Sequence, residues 1–141
     1  TVELEIEGLG PVLFCHATPR SDEDILTPLT PDSEVEAELK GAPPVVMYGH
    51  IHVQGDRRLS SHRLVNAGSV GMPYGRTTAC WALLGPDVDL RRTAYDLDRA
   101  VPFLAAATDW TEARQWAEQL RQPPSAQDAL AQFEKQRKTR A

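Results

Sequence analysis

Cysteine is scarce in this chain: Cys15 and Cys80 are its only two, and each lies inside an apolar run rather than in a spaced framework. A disulfide-stapled scaffold is therefore excluded, and two buried free thiols fit a reducing compartment, so a cytoplasmic protein is expected. Long apolar runs are also missing. Nothing approaches the ~20 consecutive apolar residues of a membrane span, and no charged start leads into a short apolar stretch as in a secretory signal, so no membrane partner is expected. Positive charge is in deficit, with 15 Lys and Arg against 20 Asp and Glu and a net charge of -5. A nucleic-acid surface would ordinarily show as a basic stripe. The one basic stretch is the tail Lys135-Gln136-Arg137-Lys138-Thr139-Arg140, which reads as a solvated, frayed end. Internal repeats and low-complexity segments are absent as well.

What is present is an ordinary globular composition over 141 residues, enough to bury a core. Val2, Leu4 and Ile6 alternate with Glu3, Glu5 and Glu7, the period of a strand with one face on a core and one in water. The turn Gly8-Leu9-Gly10-Pro11 leads into Val12-Leu13-Phe14-Cys15, which lacks alternation and so reads as covered on both faces, the two runs forming a hairpin. A proline-rich loop over residues 18–31 follows. Ser33 and Glu36 fit a capping box and Gly41 a stop signal, predicting a helix over about 33–40. Pro43-Pro44 then hands the chain to a buried strand, Val45 to Tyr48.

Further on, residues 55–57 read as a turn, 59–65 as a strand ending at Asn66, and 77–84 with 89–95 as a second hairpin around Gly85-Pro86-Asp87. The remainder is helical in composition. Pro102 marks a break or start within 97–107, Asp109 with Glu112 fits a cap for a helix over about 110–121, and Ser125 with Asp128 fits a cap for the last helix. Trp110, Trp116, Leu120, Leu130 and Phe133 read as anchors from helix to core. Helix alternating with buried strand argues for a layered α/β fold.

Three of the apolar strands end in groups that can meet a metal or a phosphate: Cys15-His16, Gly49-His50-Ile51-His52 and Asn66-Ala67-Gly68-Ser69. In open α/β sheets, ligands bind at the carboxyl edge. A His-x-His pair on a strand sends both rings toward one point, whereas at a strand's end it can fan around two.

The order of these three motifs resembles the calcineurin-like metallophosphoesterases, and more closely their small bacterial phosphodiesterase branch. There a strand ends in His-Gly, a second in Gly-His-x-His, and an Asn-Pro-Gly-Ser turn follows. Ala17 stands here for the usual Gly and Ala67 for the usual Pro. The resemblance runs from about Val2 to about Asp98. It implies half of a layered α/β/β/α sandwich, with a mixed sheet and outer helices, over residues 1–98, and a helical extension packed on it over 99–141. The family's amino-terminal motifs, Asp-x-His, Gly-Asp-x-x-Asp and Gly-Asn-His, do not occur. The chain therefore reads as the carboxyl-terminal half of a longer enzyme, its bridging carboxylate and acid histidine expected upstream.

The resemblance also implies metal-dependent hydrolysis of phosphate esters by water activated between two divalent ions, drawn from Mn, Fe, Zn or Ni. His16 and His50 would bind one ion and His52 the other. Imidazole suits zinc, iron and nickel, while carboxylates suit manganese and bridging positions. Asn66 and Gly68 are the expected substrate-side residues, the first by its amide and the second by allowing close backbone approach; an ordinary Asx turn accounts for the same residues. Arg20, Arg57 and Arg76 lie in loops near the strand ends with guanidinium forks that match phosphate, although solvated surface arginine is the default. His62 has no partner motif and reads as an exposed strand residue. Two other classes stay open: a structural zinc site of Cys15, His16, His50 and His52, and a non-catalytic module that binds a partner along an open sheet edge.

Overall fold

In the computed structural model, which describes residues 1–107 and 109–140, the first hairpin forms as its turn chemistry predicts. Strands β1 (Val2–Ile6) and β2 (Gly10–Phe14) pair antiparallel. Gly8 at φ 80° makes a turn that no side chain could enter, since a Cβ there would stand 2.2 Å from the Pro86 carbonyl oxygen. Helix α1 (Asp32–Glu38) and strand β3 (Val45–Tyr48) follow, then strands β4 (Gly55–Arg58) and β5 (Arg63–Asn66). These five strands make one mixed sheet in the order β1-β2-β3-β5-β4, with β2, β3 and β5 parallel at its centre.

The central strands carry apolar side chains on both faces because both faces are covered. Leu13, Val46, Tyr48 and Leu64 join Ile25, Leu26, Val35 and Leu39 from the loop and α1 on one side. Val12, Val45, Met47 and Val65 face the other way, under a separate hairpin of β6 (Ala79–Leu84) and β7 (Val88–Thr93) that contributes Ala82, Leu84, Val88 and Leu90. Helices α2 (Leu97–Ala106), α3 (Thr111–Gln119) and α4 (Ala126–Arg140) complete the chain. Leu130 and Phe133 of α4 pack on the α1 side of the sheet, while Val101, Ala117 and Leu120 give α2 and α3 a small core of their own. The result is a layered α/β arrangement with a mixed sheet and outer helices. Of the expected extension over 99–141, residues 108 and 141 and the side chains of Thr111 and Arg140 lie outside the described residues.

Several local expectations are corrected by tertiary contacts. Residues 55–58 are a strand, not a turn. The residues just before β5 belong to the β4–β5 turn, closed by the Leu59 N–H donating to the His62 carbonyl at 2.8 Å. Gly55-Asp56-Arg57-Arg58 has no apolar alternation because β4 is an edge strand, where charge guards against pairing with another chain. The capping box at Ser33 does not form. Helix α1 starts after Pro31 with no side-chain cap, and Glu36 reaches instead to the β4–β5 turn, accepting from Ser60 Oγ and Ser61 N at 2.8 Å each. The Ser125 cap does form, its Oγ accepting from Asp128 N at 3.0 Å. Pro102 lies inside α2, next to the buried Val101. On β1 the apolar face expected on a core reaches it only at Ile6, while Val2 is 58% and Leu4 50% exposed. Trp110 and Trp116 are not core anchors either: each is about half exposed, and they meet edge to face at 4.9 Å. Nor is the basic tail simply solvated. Arg137 pairs with Glu34 of α1 at 2.5 Å and with Glu134 at 3.0 Å.

Candidate metal centre

Because β2, β3 and β5 run parallel, their carboxyl ends reach the same edge, and the chain emerging from each carries one of the expected motifs. Two residues past β2 stands His16; two past β3 stands His50; Asn66 closes β5. His16 Nε2 and His50 Nδ1 are 3.0 Å apart, with the rings edge to face at 5.0 Å. Two imidazole nitrogens sharing a tetrahedral zinc at about 2.0–2.1 Å stand roughly 3.4 Å apart, so this pair needs only a few tenths of an ångström to accept a common ion. The donor set fits a borderline divalent metal.

The backbone around His50 is held in an unusual shape. The Gly49 N–H donates to the His16 carbonyl at 2.8 Å, and the Ile51 N–H returns to the Gly49 carbonyl at 2.7 Å, closing a three-residue γ-turn with His50 at φ 61°. His52 follows at φ 52°. Left-handed backbone is costly for a residue with a Cβ and persists where the surroundings over-determine it, most often at functional sites. Ile51, fully buried between the two histidines, is one determinant. Asn66 is another. It is 0% exposed, its Nδ2 donates to the Gly49 carbonyl at 2.7 Å, and its Oδ1 accepts from Gly68 N at 2.8 Å. The Asx turn foreseen as the plain alternative is thus present, and the same amide clamps the loop that carries His50. Gly68, at φ 83°, makes room for a side chain: a Cβ there would meet Cys80 Cβ at 2.6 Å.

The His-x-His pair fans apart. His50 turns to His16 and to Phe133 of α4, at 6.4 Å, while the His52 ring lies 6.2 Å from Tyr74, which in turn meets Phe133 at 5.9 Å. Tyr74 and Phe133 therefore wall the site, and sequence reasoning missed both at the site: they come from distant segments, and nothing local in either marks them. Among the described residues, no group of three or more His, Cys, Asp or Glu is positioned to hold a metal ion.

The remaining candidates disperse. His62 is not an exposed strand residue. Its side chain is 10% exposed and its Nδ1 meets Glu36 Oε2 at 2.5 Å. The Ser61 N–H bond, with the His62 contact next, draws the Glu36 carboxyl down to about 2. Arg20 pairs with Glu38. Arg57 lies in β4, not a loop, and is spent on Asp32 and on the Thr30 carbonyl at 2.7 Å. Arg76 stays on the exposed loop beside Tyr74. Cys15 lies against the core cluster, where burial pushes its thiol up, away from the thiolate that zinc requires. Burial likewise pushes the Tyr48 hydroxyl up to about 12, above the smaller opposing effect of its bond to Asn66.

The calcineurin-like phosphoesterase superfamily domain matches residues 1–88 of the chain. No curated protein matches it. Among solved structures it superposes on a hypothetical protein of Pyrococcus horikoshii OT3 with a TM-score of 0.66 at 21% identity, covering 81% of this chain and 48% of that one. A metallophosphoesterase of Sphaerobacter thermophilus gives 0.56 at 19% identity, over 82% of this chain and 56% of that one. The chain thus spans about half the length of these structures, whose fold it shares.

Proposed function

Since the chain belongs to the calcineurin-like phosphoesterase superfamily, where divalent metal ions and phosphate esters are the general chemistry, we propose that His16 and His50 hold one ion of a dinuclear centre and His52 the other. The observation that carries this reading is the 3.0 Å approach of two ring nitrogens from separate strands at the carboxyl edge. A pair of divalent ions, when bound, supplies an activated water and neutralises the phosphoryl oxygens of an in-line displacement. The chain's own residues do the placing. Asn66 clamps the Gly49 carbonyl and so orients His50; Gly68 shapes the loop expected at the substrate, through which both residues would act on the phosphoryl group. The further ligands, a bridging carboxylate and an acid histidine, are proposed to come from a preceding half of the domain, in keeping with the greater length of the two solved structures. Residues 1–98 are taken as the phosphoesterase unit and 99–141 as an extension that lends Phe133 to the site. Two free cysteines and the absence, among the described residues, of any helix long and apolar enough to cross a membrane support placing it in the cytoplasm.

Metal analysis of the purified chain and its variants tests the assignment. His50→Ala and His52→Ala should each bind manganese or zinc at least about tenfold more weakly, the loss that even an outer-shell partner of a ligand causes, while His62→Ala and Cys15→Ser bind as the parent does. Equal loss on Cys15→Ser would point to a structural zinc site instead.

A further inference from the structure

Behind Tyr74 lies a cavity of about 110 Å³, open to solvent, between the loop that follows β5 and the end of α3. Its walls include Met72, Tyr74, Trp116, Pro123 and Pro124, with the Gln119 amide and, as the one charge among the described residues, Arg76. The volume suits one small ring, near the ~150 Å³ of an apolar cavity that admits benzene, and the make-up, mostly apolar walls with a few polar groups, is that of a ligand pocket. The walls are joined: the Gly75 N–H donates to the Pro124 carbonyl at 2.7 Å, and Trp110 braces Trp116 edge to face at 4.9 Å. Tyr74 is shared. One neighbour of its ring is His52, at 6.2 Å, so the cavity begins one aromatic ring from the proposed metal ligand.

We propose that this cavity receives the flat apolar group of an aryl phosphate ester, its ring lying between Trp116 and the proline pair while Arg76 meets the phosphoryl oxygens at the mouth. The assignment rests on the phosphoesterase reading above and names the substrate class of that site. A guanidinium lining a mostly apolar pocket matches an ester whose charge and ring are neighbours. An aromatic wall favours a ring over an alkyl group of equal size, because stacking adds to burial. Trp116, about half exposed on a helix outside the matched 1–88, is the residue that sets this preference.

The test measures binding to the chain in the presence of zinc, using phenyl phosphate, methyl phosphate, inorganic phosphate and phenol as probes. Phenyl phosphate should bind about tenfold more tightly than methyl phosphate, and phenol alone should bind weakly at the same place. Trp116→Ala, at a half-exposed position, should erase the phenyl preference while leaving zinc and inorganic phosphate affinity unchanged; Met72→Trp, which fills the cavity, should do the same. Phosphate binding without a phenyl preference, or a preference that survives both substitutions, would overturn the pocket and spare the metal centre. Failure to bind both zinc, the ion that paired imidazoles suit, and phosphate would remove the centre, and the pocket's role with it, even if phenol still bound.

Discussion

His50 sits in left-handed backbone because the Ile51 N–H, the His16 carbonyl and the Asn66 amide all pull on the residues beside it. An alanine there loses the ring and keeps the strain; a glycine loses the ring and relieves it. His50→Gly should therefore be more stable than His50→Ala by about 1 kcal/mol, read from urea midpoints, with both equally poor in metal. Equal midpoints would mean that the γ-turn is not strained. A histidine held at a backbone cost, where glycine would be easier, is the pattern of a site kept for function.

At the scale of elements, Glu36 fastens α1 to the β4–β5 turn through Ser60, Ser61 and His62. Its carboxyl, ordinarily at 4.5, is drawn down to about 2, first by the Ser61 N–H and next by His62. A carboxyl whose folded value is depressed favours the folded state in its charged form. Its contribution is complete above about pH 4.5 and is lost as the pH falls toward about 2. Glu36→Gln should flatten that part of the stability curve, measured by urea unfolding from pH 2 to 6. A residual slope is expected from Asp87, lowered chiefly by Arg63, and from Glu134, whose burial is outweighed by Arg137 and Thr27. An unchanged slope would mean that Glu36 does not bridge the two elements in solution. Legibility was uneven at this scale. The central strands could be read from runs without alternation, but β4 could not, since an edge strand of Gly, Asp and Arg carries no apolar period.

For the molecule as a whole, the described residues bring no carboxylate to the His16 and His50 pair. The 141-residue chain should accordingly hydrolyse bis-(p-nitrophenyl) phosphate with manganese at or near the uncatalysed rate. Robust turnover by the pure chain, lost on His50→Ala, would show that this polypeptide completes the centre by itself.

The composition and order of residues by themselves determined which runs are buried on both faces and which polar groups follow them, and so placed His16, His50 and Asn66 at the ends of their strands. Those choices depend on periods of a few residues and on turn chemistry, which are local. Only the tertiary structure decided that the pairing of β2, β3 and β5 is parallel, that His50 turns to His16 while His52 turns to Tyr74, that His62 is claimed by Glu36, and that Phe133 reaches the site from α4. Each of these joins residues far apart in the chain, 34 for His16 and His50 and 26 for His62 and Glu36. Contacts of that range are selected by the competition of all packed surfaces at once, which no stretch of neighbouring residues records.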